Sequence, residues 1–499
     1  MKKVIFYFIL SVVMFCSCSK QLDQDPISSA TTVTFYSSTN DFIQGVNSIY
    51  ADLMTYPDRQ LNLSETRSDN LYAVSDGGVR DWEGINDFYS SLAGNPYISE
   101  AWATNYNGIY RANVLLEQLQ KNGKIITDGV LRSRLKAEAK FLRAFYYFDL
   151  VRWFGKVPII DHSASAAEAN TIPRSSVADL YKLIISDLQF ACDSLSPTYA
   201  SADKGHATTY SAKGLLALVY MTESGPTYGI EGPGLGLNEW NKAESLLNDI
   251  ISSNKYSFLS SYPSIFSYTN ENNAEVIFNV EYKTGSSPVV GATFPWLLVP
   301  DNYFQSLGKA TQGGLYIRPV STDLVNLYET GDTRKNFTIK LGGFTYNGTF
   351  EDRPFFQKYV DLTKVPTNRL DWPINFIVQR YTDILMLKAE CILHGADGTQ
   401  TDVDNIVNQV RQRAGLTAVS NVTLKQLMDE RRREFAAEGL RWHDLVRSGL
   451  VESTINAWIP KEDILHAMQT FKKEYIIYPI PQSELDVNPG LYTQNAGYQ

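Results

Sequence analysis

The sequence predicts a mainly α protein: tetratricopeptide-like helical hairpins forming an α–α superhelix, with long irregular loops and minor β-hairpins. Three observations lead there. Apolar residues recur at helical spacing in several separate segments. A pattern of small and large residues repeats along three of those segments, as stacked helix pairs require. Long stretches rich in Gly, Asn, Ser and Asp lie between the pairs.

The chain of 499 residues opens with a basic head, Met1-Lys2-Lys3, and an apolar run from Val4 to Phe15. Such a run is too short for a membrane-spanning helix, which needs about 20 residues. A charged head, a short apolar stretch and a small residue before a cut site describe a secretory signal over residues 1–17. Cys18 follows Ser17 and precedes the polar, acidic "SKQLDQDP", an arrangement resembling a bacterial lipobox in which the cysteine is acylated. Cys16 fits less well, because bulky Phe15 would precede the cut. Plain secretion and an uncleaved anchor are the alternatives. Acyl chains contribute about 0.8 kcal/mol per buried methylene, and two or more anchor a protein stably.

Residues 18–499 then read as one α-helical unit. "GIYRANVLLEQLQ" places Ile109, Ala112, Leu115, Leu116 and Leu119 on one helical face. "LRSRLKAEAKFLRAFYYFDLVRWFG" ends at Gly155 with Pro158 just beyond, an expected stop. Its partner is "SVADLYKLIISDLQFACDSL", with Ser176 as candidate cap. "YSAKGLLALVYMTES" with "EWNKAESLLNDIISSNKY", and "RYTDILMLKAECILHG" with "DVDNIVNQVRQRAGL", form two more pairs. Ala139, Ala144 and Tyr147 recur as Ala212, Ala217 and Tyr220, and again as Ile384, Ala389 and Ile392. The small middle residue lets two helices approach closely, and the large third residue fills the gap beside it. Chance similarity among alanine-rich helices is the competing explanation. Loop insertions are expected at about 61–100, 224–238 and 285–375, with "EVIFNVEYK" a strand before the last. Loops this long in a compact protein are functional or disordered, and their aromatic content argues against disorder.

Composition narrows the function. A net charge of −9 argues against a nucleic-acid reader, whose partner's phosphates demand a basic face. Tyr, Phe and Trp number 30, 24 and 8; most belong to the core, and a surplus suits stacking on flat apolar faces such as sugar rings. Cys192 and Cys391 sit in apolar helical contexts and read as buried free thiols rather than a disulfide or metal pair. No His-Glu-x-x-His, Gly-x-Ser-x-Gly or P-loop motif occurs, and none of the five histidines pairs with another at ligand spacing. No cofactor or metal constellation is therefore expected. "GPGLGLN" (Gly232–Asn238) lacks a preceding strand and reads as a turn, and "ADGTQTDVDN" (Ala396–Asn405) lacks calcium-loop spacing. A glycosidase needs only two suitably spaced carboxylates, so among 54 acidic residues that alternative stays open.

The densest charge run is "DERRREFAAEGLRWHDLVRSG" (Asp429–Gly449). It reads as a salt-bridged helix in which Glu430, Glu434 and Glu438 pair with Arg431, Arg432 and Arg433, while Leu427, Phe435, Trp442 and Leu445 face the core. Binding of an anion or partner is the alternative.

The stretch Ala137–Ile160 ("AEAKFLRAFYYFDLVRWFGKVPII"), "RYTDILMLKAECI", "VNQVRQRAGL", "ERRREFAAEGLRWHDLVRSG" and Tyr478–Tyr498 ("YPIPQSELDVNPGLYTQNAGY") together resemble the SusD/RagB family, nutrient-binding outer-membrane lipoproteins of the Bacteroidetes. The resemblance covers essentially the whole mature chain. It implies four tetratricopeptide-like pairs, a non-catalytic role in a starch-utilisation-like system, and a SusC-type TonB-dependent transporter over which the lipoprotein sits as a lid. It also implies a lipid anchor at Cys18 in the outer membrane, facing outward. Trp102, Tyr106, Tyr110, Trp153, Trp442, Pro479 and Pro481 then read as scaffold. Ligand is expected on variable loops that offer an aromatic platform and polar groups reading hydroxyls. The local candidates are Tyr72, Trp82, Asn70, Asp76 and Arg80 in Ser68–Tyr89, and Trp296, Tyr303 and Tyr316 in Ala292–Tyr316. A pyranose has an apolar C–H face that packs on a ring, while its hydroxyl fringe needs donors and acceptors. Alternatives are a transporter lid or interaction module for peptide or another nutrient, and a surface glycosidase.

Overall fold

The structure is a computed structural model that describes residues 35–76, 78–200, 203–309 and 316–499. The leader at 1–17 and Cys18 lie outside the described residues.

The main helices are α1 (Thr39–Ala51), α2 (Pro96–Asn122), α3 (Gly129–Phe154), α4 (Val177–Ser194), α5 (Thr209–Ser224), α6 (Trp240–Ser252), α7 (Tyr381–Leu393), α8 (Gln400–Arg413), α9 (Leu424–Phe435), α10 (Arg441–Arg447) and α11 (Val451–Glu462). Each from α2 to α8 packs on the next, so the three expected pairs, α3/α4, α5/α6 and α7/α8, are all formed within one continuous stack. The repeated small residues lie at these contacts: Ala139, Ala144, Ala212, Ala217 and Ala389 are fully buried.

Local chemistry sets the helix ends. The Ser176 hydroxyl accepts from the Asp179 amide, as the sequence predicts for the start of α4. Asp128 accepts from the Val130 and Leu131 amides at the head of α3, and Gly155 closes its tail with φ +67°. The second helix begins earlier than its apolar spacing indicates, at Pro96, where Asn95 accepts from Tyr97 and proline's missing N–H costs nothing. Gly108 in α2 allows closer approach than any other residue could. A Cβ there would lie 2.3 Å from Tyr146 Cε2, and that ring is pinned at its far end by its hydroxyl donating to the Ile49 carbonyl at 2.7 Å.

The sheet content is small. β1 (Val276–Val280) pairs antiparallel with β6 (Phe376–Arg380), β2 (Ile339–Lys340) with β5 (Phe355–Phe356), and β3 (Phe344–Tyr346) with β4 (Thr349–Glu351). The β3–β4 hairpin turns at Asn347-Gly348, both at positive φ, as a type I′ connection requires.

The charge run behaves differently from its expected form. Arg431, Arg432 and Arg433 are all buried, and of the three glutamates only Glu430 pairs with one of them, Arg433. Arg431 binds Asp383 at 2.8 Å and Asp444 at 2.9 Å; Arg432 binds Asp323 at 2.6 Å. Glu434 instead meets Arg334, Arg380 and Arg413, and Glu438 meets Lys358 and Arg380. Glu434 and Glu438 thus take distant partners rather than neighbours, because the C-terminal half of α9 is enclosed and each charge there needs a partner where it lands. Leu427, Phe435, Trp442 and Leu445 face the core as expected. Cys391 is buried and Cys192 half-buried, both as free thiols.

Candidate functional site

The loops meet through backbone pairing. Residues 69–72 run beside 317–321: Leu71 bridges antiparallel to Val320, the Tyr72 amide donates to the Pro319 carbonyl and the Ser321 amide to the Asn70 carbonyl. On the other side the Val320 amide donates to the Pro354 carbonyl. Both sequence-predicted segments, and the strand-rich part of the third insertion, therefore converge on one region. Where they meet, the Arg80 guanidinium lies 4.5 Å from the centroid of the Tyr316 ring. Asp76 forms an ion pair with Arg353, which also holds Glu351 at 2.6 Å.

The predicted residues divide sharply by accessibility. Tyr316 is 42% exposed and Trp296 is half-buried; Asp76 and Arg80 are half-buried. Trp82, in contrast, is 4% exposed: it sits on the short helix Asp81–Asn86 and faces inward, with the Arg318 guanidinium 5.4 Å over its ring. Tyr303 belongs to a turn of helix, Asp301–Ser306, that packs on the β-hairpin; its ring lies 5.3 Å from Phe344 and 5.1 Å from Phe355. Tyr72 is buried beside the 319–321 backbone, and burial pushes its hydroxyl up to about 12. Asn70 is enclosed: its amide donates to Glu65 at 2.8 Å and its oxygen accepts from Arg432 at 2.8 Å. None of these four offers a ligand an open face. Local spacing marks them as loop aromatics and polar groups, but the strand-like pairing of 69–72 with 317–321 encloses Tyr72 and Asn70, the short helix Asp81–Asn86 turns Trp82 inward, and Phe344 and Phe355 cover Tyr303.

Trp296 carries its own guanidinium. Arg369 lies 4.1 Å from the indole centroid, and the indole N–H donates to Asp301 at 3.0 Å, which fixes the ring. Two of the predicted rings thus keep an accessible part and have an arginine over one face, Tyr316 with Arg80 and Trp296 with Arg369, and the first loop also carries Asp76, paired with Arg353. Arg353 and Arg369 were missed in the sequence because no periodicity or motif distinguishes them within the insertion. Only their place in the 285–375 loop pointed that way. Such a surface can pack a flat apolar face and present both donors and acceptors around it.

Among the described residues, no group of three or more His, Cys, Asp or Glu side chains is arranged to hold a metal ion. No described helix is long and apolar enough to cross a membrane.

Comparison with known proteins gives the family. A family model described as "SusD family" matches residues 345–498, and one described as "Starch-binding associating with outer membrane" matches residues 20–221. A SusD-like protein of Bacteroides ovatus is 26% identical over 475 residues, covering 89% of this chain and 82% of its own length. The fold matches that of surface glycan-binding protein A from Bacteroides fluxus, with a TM-score of 0.79 at 23% identity over 92% of this chain and 100% of the other. It also matches a laminarin-binding SusD-like protein, with a TM-score of 0.76 at 26% identity over 93% and 100% of the two chains. Sequence motifs, helical stack and both family matches agree: the chain belongs to the SusD/RagB family.

Proposed function

We propose that this protein is a non-catalytic, lipid-anchored outer-membrane receptor that captures an oligosaccharide outside the cell and delivers it to a SusC-type TonB-dependent transporter. The observation that carries the reading is the exposed Tyr316 ring, backed on one face by Arg80 from the loop that also carries Asp76 and its ion pair with Arg353. A sugar ring packs its C–H face on the free part of the aromatic, while the guanidinium and carboxylate groups meet its hydroxyls. Trp296 with Arg369 serves as a second platform, earlier in the same insertion. The laminarin-binding relative supports a β-glucan as the first ligand to test. Anchoring through Cys18 would bring this surface beside the transporter, and a Cys18→Ala protein is expected in the soluble fraction.

The direct test is isothermal titration of laminarin and starch oligosaccharides with the wild type and Tyr316→Ala. Aromatic contacts of this kind add about 0.5–1.5 kcal/mol beyond area burial, so loss of the ring weakens a bound glycan roughly tenfold. An unchanged affinity in Tyr316→Ala, or no binding across a broad glycan panel, removes the reading. Hydrolysis products after long incubation would favour the glycosidase instead.

A further inference from the structure

A second cleft lies far from the loop surface in sequence. It has a volume of about 250 Å³ and is walled by α2, the 158–170 segment and the C-terminal tail. Its aromatic lining comes from Trp102, Tyr106, Tyr110 and Tyr492, and its one acidic side chain is Glu484. Three of those aromatics are positions whose helical spacing reads as plain scaffold. Trp102 does pack inward, but Tyr106 is half-buried and Tyr110 is 46% exposed.

The polar groups of the cleft are unequally engaged. The Tyr106 hydroxyl donates to the Pro158 carbonyl at 2.8 Å, and that of Tyr492 donates to the Ile172 carbonyl at 3.2 Å. Both rings are thereby held in place with their hydroxyls satisfied. Glu484 is half-buried and, among the described residues, has no ion-pair partner. Burial raises its carboxyl above the ordinary value, offset in part by the neighbouring Trp102 indole. The Asn170 amide and the Tyr110 hydroxyl also line the cleft and are its only other side-chain hydrogen-bonding groups. A cation would find aromatic rings, which attract positive charge through their quadrupoles, and a carboxylate in no ion pair; the nearby Arg174 guanidinium is held instead by Thr493 and Asn495.

We propose that this cleft binds an ammonium or guanidinium group borne on an apolar body, with Glu484 as its counter-ion and Tyr106, Tyr110 and Tyr492 as its aromatic walls. The cation is either a free organic amine or the side chain of a lysine or arginine in a partner protein. The site is independent of the glycan surface, so either can fail alone.

The test follows Trp102 fluorescence and titration calorimetry with benzylamine and its neutral analogue benzyl alcohol, then with N-acetyl-lysine methylamide and a short peptide containing one arginine. Saturable benzylamine binding identifies a site open to small amines. Binding of the lysine derivative or peptide alone identifies a partner's side chain as the natural ligand. In either case Glu484→Gln weakens the cation at least tenfold while leaving laminarin-oligosaccharide affinity and melting temperature unchanged. Tyr110→Ala, at the exposed rim, weakens it several-fold. The proposal is overturned if no cation binds saturably, if benzyl alcohol binds as tightly as benzylamine, or if Glu484→Gln leaves cation affinity unaltered.

Discussion

Glu434 stands at the centre of the buried charge network, and its replacement by glutamine tests whether that network holds the fold together. Its Oε1 contacts Arg413 at 2.6 Å and Arg380 at 2.7 Å, and its Oε2 contacts Arg334 at 3.0 Å. All four side chains are at most 1% exposed. Burial alone would raise the carboxyl, but Arg413, Arg380 and Arg334 overcome it and hold it well below the ordinary range. Glutamine keeps the shape, removes the charge and turns an amide N–H₂ toward guanidinium donors. Breaking a buried pair leaves uncompensated charge and costs about 3–5 kcal/mol. Unfolding entropy scales with length at about 2.1 cal/mol/K per residue, which gives roughly 1 kcal/mol/K for a chain of this size. The melting temperature should therefore fall by about 3–5 °C in scanning calorimetry. Lys425→Gln is the control: its partner Asp429 lies 2.7 Å away on the same helix, but the lysine is 74% exposed, so the pair contributes about 0.5 kcal/mol or less. The pH dependence has a definite sign. A carboxyl whose folded value is depressed contributes stability above its unfolded value, near 4.3, and loses it as pH falls through the folded one. The gap between wild type and Glu434→Gln should thus narrow in acid. A melting temperature for Glu434→Gln within about 1 °C of the wild type at neutral pH would refute the reasoning.

Two other perturbations separate frame from site. Trp82→Ala should cost about 3–5 kcal/mol, measured by chemical denaturation, while the folded variant keeps its glycan affinity, because this ring is in the core. Asp58 works in the opposite sense to Glu434. Burial and nearby Glu100 push its carboxyl up to about 7 against a hydrogen bond from Thr293, and its Oδ1 has no partner among the described residues. Its contribution is full below pH 4 and falls by about 4 kcal/mol as pH rises to 7, so Asp58→Asn should gain on the wild type across that window. A stability difference that stays flat from pH 4 to pH 7 would count against this assignment.

Much of the helical frame is legible in the amino-acid order. Ser176 as a cap, Gly155 as a stop and the alanines at 139, 144, 212, 217 and 389 act through contacts within a turn or with the adjoining helix. Local spacing therefore carries the information. The start of α2 was less legible, because Asn95-Pro96 lies inside a stretch whose polar residues read as loop. The site was legible only in part. The two segments named for it do meet, at Arg80 and Tyr316, but which of their rings stay open is settled by tertiary contacts. A backbone pairing between residues about 250 positions apart encloses Tyr72 and Asn70, the short helix Asp81–Asn86 turns Trp82 inward, and Tyr316 stays exposed.

The sequence by itself determined the family, the helical hairpins and their order. The tertiary structure alone decided which acid meets which arginine, which loop aromatics reach water, and that Tyr106, Tyr110 and Glu484 share a cleft. The reason is physical. Helix formation and capping are governed by groups a few residues apart, whereas burial and charge pairing depend on what the folded chain brings alongside, and no local pattern records that.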